Sequence, residues 1–106
     1  MIVTPGACVA GFKVVKTLGL VRGNTIRARN VGRDILAALK NLVGGEIEEY
    51  TKMMAEAREQ ALDRMVAEAQ SLDADAVLDV RFSTSYVMAS AAEIVVYGNA
   101  VNLDKT

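Results

Sequence analysis

Cys8 is the only cysteine of the chain, and there is no histidine. A closed zinc or copper site draws on several Cys or His ligands, so one copy cannot supply it. Soft-metal binding stays open only as a shared site, with Cys8 or carboxylate copies meeting on the axis of an assembly. Nucleophilic catalysis needs an activated nucleophile with a base beside it; Cys8 has no histidine to serve it and sits next to Pro5 and Gly6, so it reads as a passive residue of an N-terminal arm. The carboxylates Asp34, Glu56, Asp73, Asp75 and Asp79 fall at no spacing that selects an acid–base pair. Met53, Met54 and Met65 recur at helical core spacing, with Met88 in or near a hairpin loop, a pattern that fills cores rather than binds metal. The best polar constellation is Asn30, Arg33 and Asp34 together with Tyr50 and Arg58. Tyr50 and Arg58 lie about two turns apart on roughly one side of a helix, and a preceding helix that folds back at Gly44-Gly45 brings Arg33 or Asp34 towards that side. One reading is an anion or small-ligand pocket at a subunit boundary. The other is a helix cap with an interface salt bridge, and it is favoured because ion-pair networks also build structure. Gly44 and Gly45 are not a phosphate loop, since no Walker or dinucleotide pattern surrounds them.

The elements that must position these residues follow from pattern. The length of 106 residues fits one domain over 1–106. Lys13 to Ala28 is rich in Val, Thr, Leu and Ile and is punctuated by Gly19 and Gly23, which mark bulges, bends or close backbone approach; one bent strand, or two short strands joined near Gly23-Asn24, is predicted. Residues 1–11, with Pro5, Gly6 and Gly11, read as an irregular arm. Asn30 is a candidate helix N-cap, Asp34 suits the positive helix pole, and Val31, Ile35, Leu39 and Leu42 recur at helical spacing up to the stop at Gly44-Gly45. A second helix is predicted over 46–72, with the apolar line Ile47, Tyr50, Met54, Ala57, Ala61, Met65, Ala69 and Leu72. At about 1.5 Å per residue it spans about 40 Å, longer than a small domain is wide. Strands are predicted over 76–85 and 91–103, forming a hairpin whose loop is expected to begin at Ser83-Thr84-Ser85. The fold class is therefore α+β: a small antiparallel sheet of about three strands, the first long and bent, packed on a short and a long helix in the order β-α-α-β-β. In the last strand Ile94, Val95, Val96 and Tyr97 are apolar on both faces. A strand buried on both faces needs two covers, and one subunit supplies only one, so the second is expected from another copy.

Composition excludes several classes. No apolar run approaches about 18 residues, so no membrane-spanning helix is expected. The start of the chain lacks a basic region before an apolar core, so no secretory signal is expected, and a lone cysteine fits a reducing cytoplasm. Hydrophobic residues make up 52% of the chain, mostly Ala, Val, Leu, Ile and Met with few aromatics, which suits close helix-on-sheet and subunit packing. Charge is lopsided: Lys13, Lys16, Arg22, Arg27, Arg29 and Arg33 are met before the first acid, and every acidic residue follows them. Such asymmetry can mark a nucleic-acid or polyanion surface over 13–33. The structural reading, basic strand residues facing acidic helix residues, is favoured because no stacking aromatic set is interleaved.

Several short pieces occur together and in order: G-L-V-R-G at 19–23, N-V-G-R-D at 30–34, V-G-G at 43–45, Tyr50, Ala57-Arg58 with Ala61, A-D-A-V at 74–77 and G-N-A-V from Gly98 to Val101. In this register over nearly the whole chain, the sequence resembles the YbjQ-like family of small bacterial and archaeal proteins, often labelled as heavy-metal-binding. The resemblance implies a dodecin-like α+β subunit assembling into pentameric rings, or rings paired into decamers. It implies no established reaction. Gly19, Gly23, Gly44, Gly45 and Gly98 would then be structural glycines. The family usually has Gly at Asp73, Thr at Asn99 and often an acid at Asn24; without that acid a carboxylate ligand site has less support here. The heavy metal implied by the label finds few ligands in this chain, and no metal-ligating residues are assigned. The expectation is a non-enzymatic, cytoplasmic, homo-oligomeric binding or scaffold protein of unknown ligand. The alternatives are a polyanion binder using the basic segment and, less favoured, a small enzyme with an intersubunit site around Asp34, Tyr50 and Arg58.

Overall fold

A computed structural model describes residues 1–28, 45–88 and 91–106. In chain order the elements are β1 (Ile2–Val3), β2 (Phe12–Ala28), α1 (Gly45–Ser71), β3 (Ala76–Met88) and β4 (Ala91–Lys105). They form an α+β unit with a four-stranded sheet in the order β1-β3-β4-β2. The sheet is mixed: β4 pairs antiparallel with β2 and β3, whereas β1 runs parallel to β3 at Ile2–Ala76 and Val3–Val77. This corrects the expected three-stranded antiparallel sheet and the β-α-α-β-β order. The start of the arm is a strand rather than irregular chain. Two apolar residues are too few to show an alternation; they become a strand because the edge of β3 offers backbone groups to pair. The arm continues along that edge: the Thr4 N–H donates to the Val77 carbonyl at 3.0 Å, and the Val80 N–H to the Thr4 carbonyl at 3.1 Å. The described residues hold one helix, and the short helix expected before Gly44 lies outside them.

β2 is one strand of 17 residues. Its irregularities fall between Val14 and Lys16 and between Thr17 and Gly19, not near Gly23-Asn24. Gly19 has φ 124°, a conformation that side-chain-bearing residues rarely adopt, so this bulge is glycine's to make. Gly23 has another task. A Cβ there would strike the Ala61 carbonyl and lie 2.5 Å from the Met65 N, so the strand meets the helix backbone where a side chain has no room.

The helix buries Ala57, Ala61, Met65 and Ala69 completely, and Met54 nearly so. The alanines let it approach β2 and β4 closely, and Met65 shares one buried cluster with Val21, Ile94 and Val96. Burying a side chain of this size contributes about 1.5–3 kcal/mol. The helix ends in two nested bonds: Asp73 N–H to the Gln70 carbonyl at 3.0 Å, and Ala74 N–H to the Ala69 carbonyl at 3.1 Å. This is a Schellman end with Asp73, at φ 60°, in the position glycine usually takes. Asp is one of the few residues that visit this region routinely. A small second cluster, Ala76, Leu78 and Val101 with Val9 and Leu103, sits where the arm returns over the sheet.

Candidate functional site

The polar constellation singled out in the sequence is not assembled among the described residues. Asn30, Arg33 and Asp34, with Gly44, lie outside them. Tyr50 belongs to the helix, whose first residue is Gly45. Arg58 is exposed on the helix, next to the buried Ala57. Gly98 lies in β4, where an added Cβ would be 2.6 Å from Val77 Cγ1 and 2.9 Å from the Leu78 carbonyl.

The cross-strand register builds a different polar row on the sheet face turned away from the helix. Arg22, Tyr97 and Arg81 stand side by side across β2, β4 and β3. Opposed residues on neighbouring strands share a face, and all three are exposed. The neighbouring row is Leu20, Asn99 and Leu78, and the one beyond Arg22 is Asn24, Val95 and Ser83. Two guanidinium groups around a phenol suit an anion, but Arg81 is already engaged. Its Nη1 donates to the Pro5 carbonyl at 2.8 Å and to the Val80 carbonyl at 2.9 Å. It thereby clamps the arm to a bulge between Leu78 and Arg81, where Asp79 takes φ 54°. The Asp79 N–H donates to the Gly6 carbonyl at 3.0 Å, and its carboxylate accepts from Asn99 Nδ2 at 3.3 Å. At the other end of the hairpin base, the Asp75 carboxylate accepts from the Leu103 N–H at 2.9 Å and from Asn102 Nδ2 at 3.3 Å. These acids satisfy backbone and amide donors, which is structural work.

Among the described residues no group of three or more Cys, Asp or Glu side chains is placed to hold a metal ion. Cys8 is exposed and free. Met54 and Met65 are core, and Met53 packs against the same cluster. No helix among the described residues is long and apolar enough to cross a membrane.

Among the described residues, bonds between the basic first third and the helix run through backbone groups. Glu68 Oε2 accepts from the Arg22 N–H at 3.4 Å, and Arg64 Nη1 donates to the Asn24 carbonyl at 2.6 Å. The Thr25 hydroxyl, buried, donates to the Ala57 carbonyl at 3.0 Å. Sequence reading missed Arg64, Glu68 and Arg81, and it named Asp79 only as a carboxylate without a paired acid. Arg64 and Glu68 are four apart on the solvent side of a helix, a spacing shared by ordinary surface pairs. Only the placement of the helix over the margin of β2 gives them work.

The comparisons with known proteins agree with this architecture. A family described as "Putative heavy-metal-binding", YbjQ, matches residues 1–104. A UPF0145 protein of Halorubrum lacusprofundi is 61% identical over 95 residues, covering 90% of this chain and 91% of the relative. One from Dehalococcoides mccartyi is 57% identical over 101 residues, covering 95% and 97%. Another from Archaeoglobus fulgidus is 57% identical over 103 residues, covering 97% and 95%. A crystal structure of a DUF74-family protein of unknown function from Pediococcus pentosaceus superposes with a TM-score of 0.68 at 16% identity, covering 98% of both chains, a likeness of fold. A match across nearly the full length, together with relatives this close, establishes that the chain belongs to the YbjQ (UPF0145) family.

Proposed function

We propose that this protein is a non-enzymatic homo-oligomeric binding or scaffold module acting in the cytoplasm. The observation that carries the reading is unfinished burial. The accessible surface is 6891 Å², against about 5,700 Å² expected for a compact monomer of this mass. The radius of gyration is 17.5 Å, where a compact chain of this length has about 13 Å. Leu20, Ile26, Phe82, Tyr86 and Tyr97 are all exposed. On β4 the side chains facing the helix, Ile94 and Val96, are buried, while Val95 is half-buried and Tyr97 is 39% exposed. A second copy is the cover that such a strand lacks. The family resemblance favours a pentameric ring or paired rings.

Within that assembly the described polar groups support structure rather than turnover: Asp75, Asp79 and Glu68 accept from backbone and amide donors. Heavy-metal binding, which the family description names, would draw on ligands shared between copies, since no group of three such ligands stands together among the described residues. A native mass spectrum of protein purified without added metal or chelator tests both parts. A multiple of the chain mass is expected. Bound metal would appear as added mass on the assembly alone. A single-chain mass at micromolar concentration overturns the reading.

The polyanion reading rests on Lys13, Lys16 and Arg22, which are exposed on β2. Binding through phosphate contacts falls steeply with salt. Absence of binding to single-stranded DNA at low salt removes this alternative.

A further inference from the structure

The two outer strands of the sheet end differently. β2 has its margin occupied by the helix at Arg22 and Asn24. Among the described residues, β3 is paired on its outer side only through Val80, by β1 and the arm. Beyond that point Arg81 to Tyr86 is exposed, with Phe82 at 48% and Tyr86 at 72%. An uncovered edge carrying aromatics is a template for another strand.

This edge is self-complementary. Residues 82–86 read F-S-T-S-Y, nearly a palindrome about Thr84. The hydrogen-bond phase agrees. Arg22 and Asn24 turn backbone groups away from β4, so by alternation Gly23 and Thr25 bond to Val96 and Ile94. Val95 and Glu93 then face β3 at Ser83 and Ser85, so the N–H and C=O groups of Phe82, Thr84 and Tyr86 are directed at the outer edge, which no other described residue pairs.

We propose that residues 82–86 of β3 pair antiparallel with the same segment of a second copy, about a two-fold axis through Thr84. This rests on the homo-oligomer reading and names the contact. The axis sets Thr84 against its own copy and Phe82 against Tyr86 of the partner subunit, twice. Every edge-directed N–H and C=O of the three residues finds a partner. Aromatic pairs and Thr–Thr pairs are among the favourable cross-strand combinations. Arg81 falls opposite position 87, a valine, so no like charges oppose each other. A two-fold contact of this kind is isologous and closed. It joins two copies, or two rings, and does not itself build a ring.

The test uses two variants of the full chain. Thr84→Pro removes the N–H at the axis, and proline is accepted on an edge strand where the N–H points outward; the mass of the assembly should halve. Thr84→Cys, in a Cys8→Ser background, places two thiols on Cα atoms about 5.5 Å apart, inside the disulfide range of about 4.4–6.8 Å. Mild oxidation should give crosslinked dimer, whereas Glu59→Cys on the exposed helix face in the same background should not. An assembled protein in which Thr84→Cys crosslinks no more than Glu59→Cys overturns this contact and leaves the homo-oligomer reading standing. A wild-type protein of single-chain mass overturns both. If circular dichroism shows that Thr84→Pro is unfolded, or the two variants disagree, the crosslink decides.

Discussion

β2 and β3 both flank β4, both are long, and they meet opposite fates. The helix lies along β2, so its central side chains Val21 and Thr25 are buried and its outward backbone groups at Arg22 and Asn24 meet Glu68 and Arg64. β3 is equally closed from Ala76 to Val80, under the helix face and the arm, and then runs on as an exposed segment. The difference teaches that strand length and apolar content do not decide burial. The line along which the helix can approach the sheet decides it, and that line is set by Gly23, Ala57 and Ala61.

The sharpest way to break the contrast is at Gly23. Gly23→Ala forces a methyl into the helix backbone at Ala61 and Met65, which cannot yield as a flexible side chain would. A loss of more than about 3 kcal/mol is expected in urea unfolding. A loss below about 1 kcal/mol would mean the helix sits farther from β2. Next comes Met65→Ala, which empties a fully buried site; about 3 kcal/mol is expected, near the middle of the range for such truncations. Thr25→Val keeps the shape and removes the bond to the Ala57 carbonyl, with an expected cost of about 1 kcal/mol in the same assay.

The smallest effects on subunit stability are expected at the margins. Arg64→Ala uncovers the Asn24 carbonyl on the β2 edge; unfolding should shift by less than about 1 kcal/mol, while aggregation on storage should rise because an edge is freed. Tyr86→Ser, at a side chain 72% exposed, should change the stability of a dissociated subunit by under about 0.5 kcal/mol. If it costs as much as Met65→Ala, the outer half of β3 is core and the contrast drawn here fails.

Much of the architecture was legible because it is written in local periodicity. The helix expected over 46–72 is found at Gly45–Ser71, since the spacing of Met54, Ala57, Ala61, Met65 and Ala69 repeats for several turns. The hairpin strands run from Ala76 and Ala91 as expected and extend to Met88 and Lys105, so Ser83-Thr84-Ser85 is not the start of a loop but strand, held by pairing with Val95, Ile94 and Glu93. The parallel strand β1 was not legible. Ile2 and Val3 pair with residues more than seventy positions away, and nothing local marks so short a partner. The site was less legible still. Arg81 looks like any strand arginine until the arm lays the Pro5 carbonyl beside it.

The sequence by itself determined the α+β class, the long helix, the hairpin and the family. These follow from residue types and short-range periods, which act within a few positions of chain. Tertiary structure alone decided which face of β4 is covered, which glycine makes the bulge and which the close approach, and which sheet edge the described residues leave unpaired. Those outcomes depend on where the helix comes to rest over the sheet. That position is fixed by the sterics of backbones far apart in sequence, which no local pattern records.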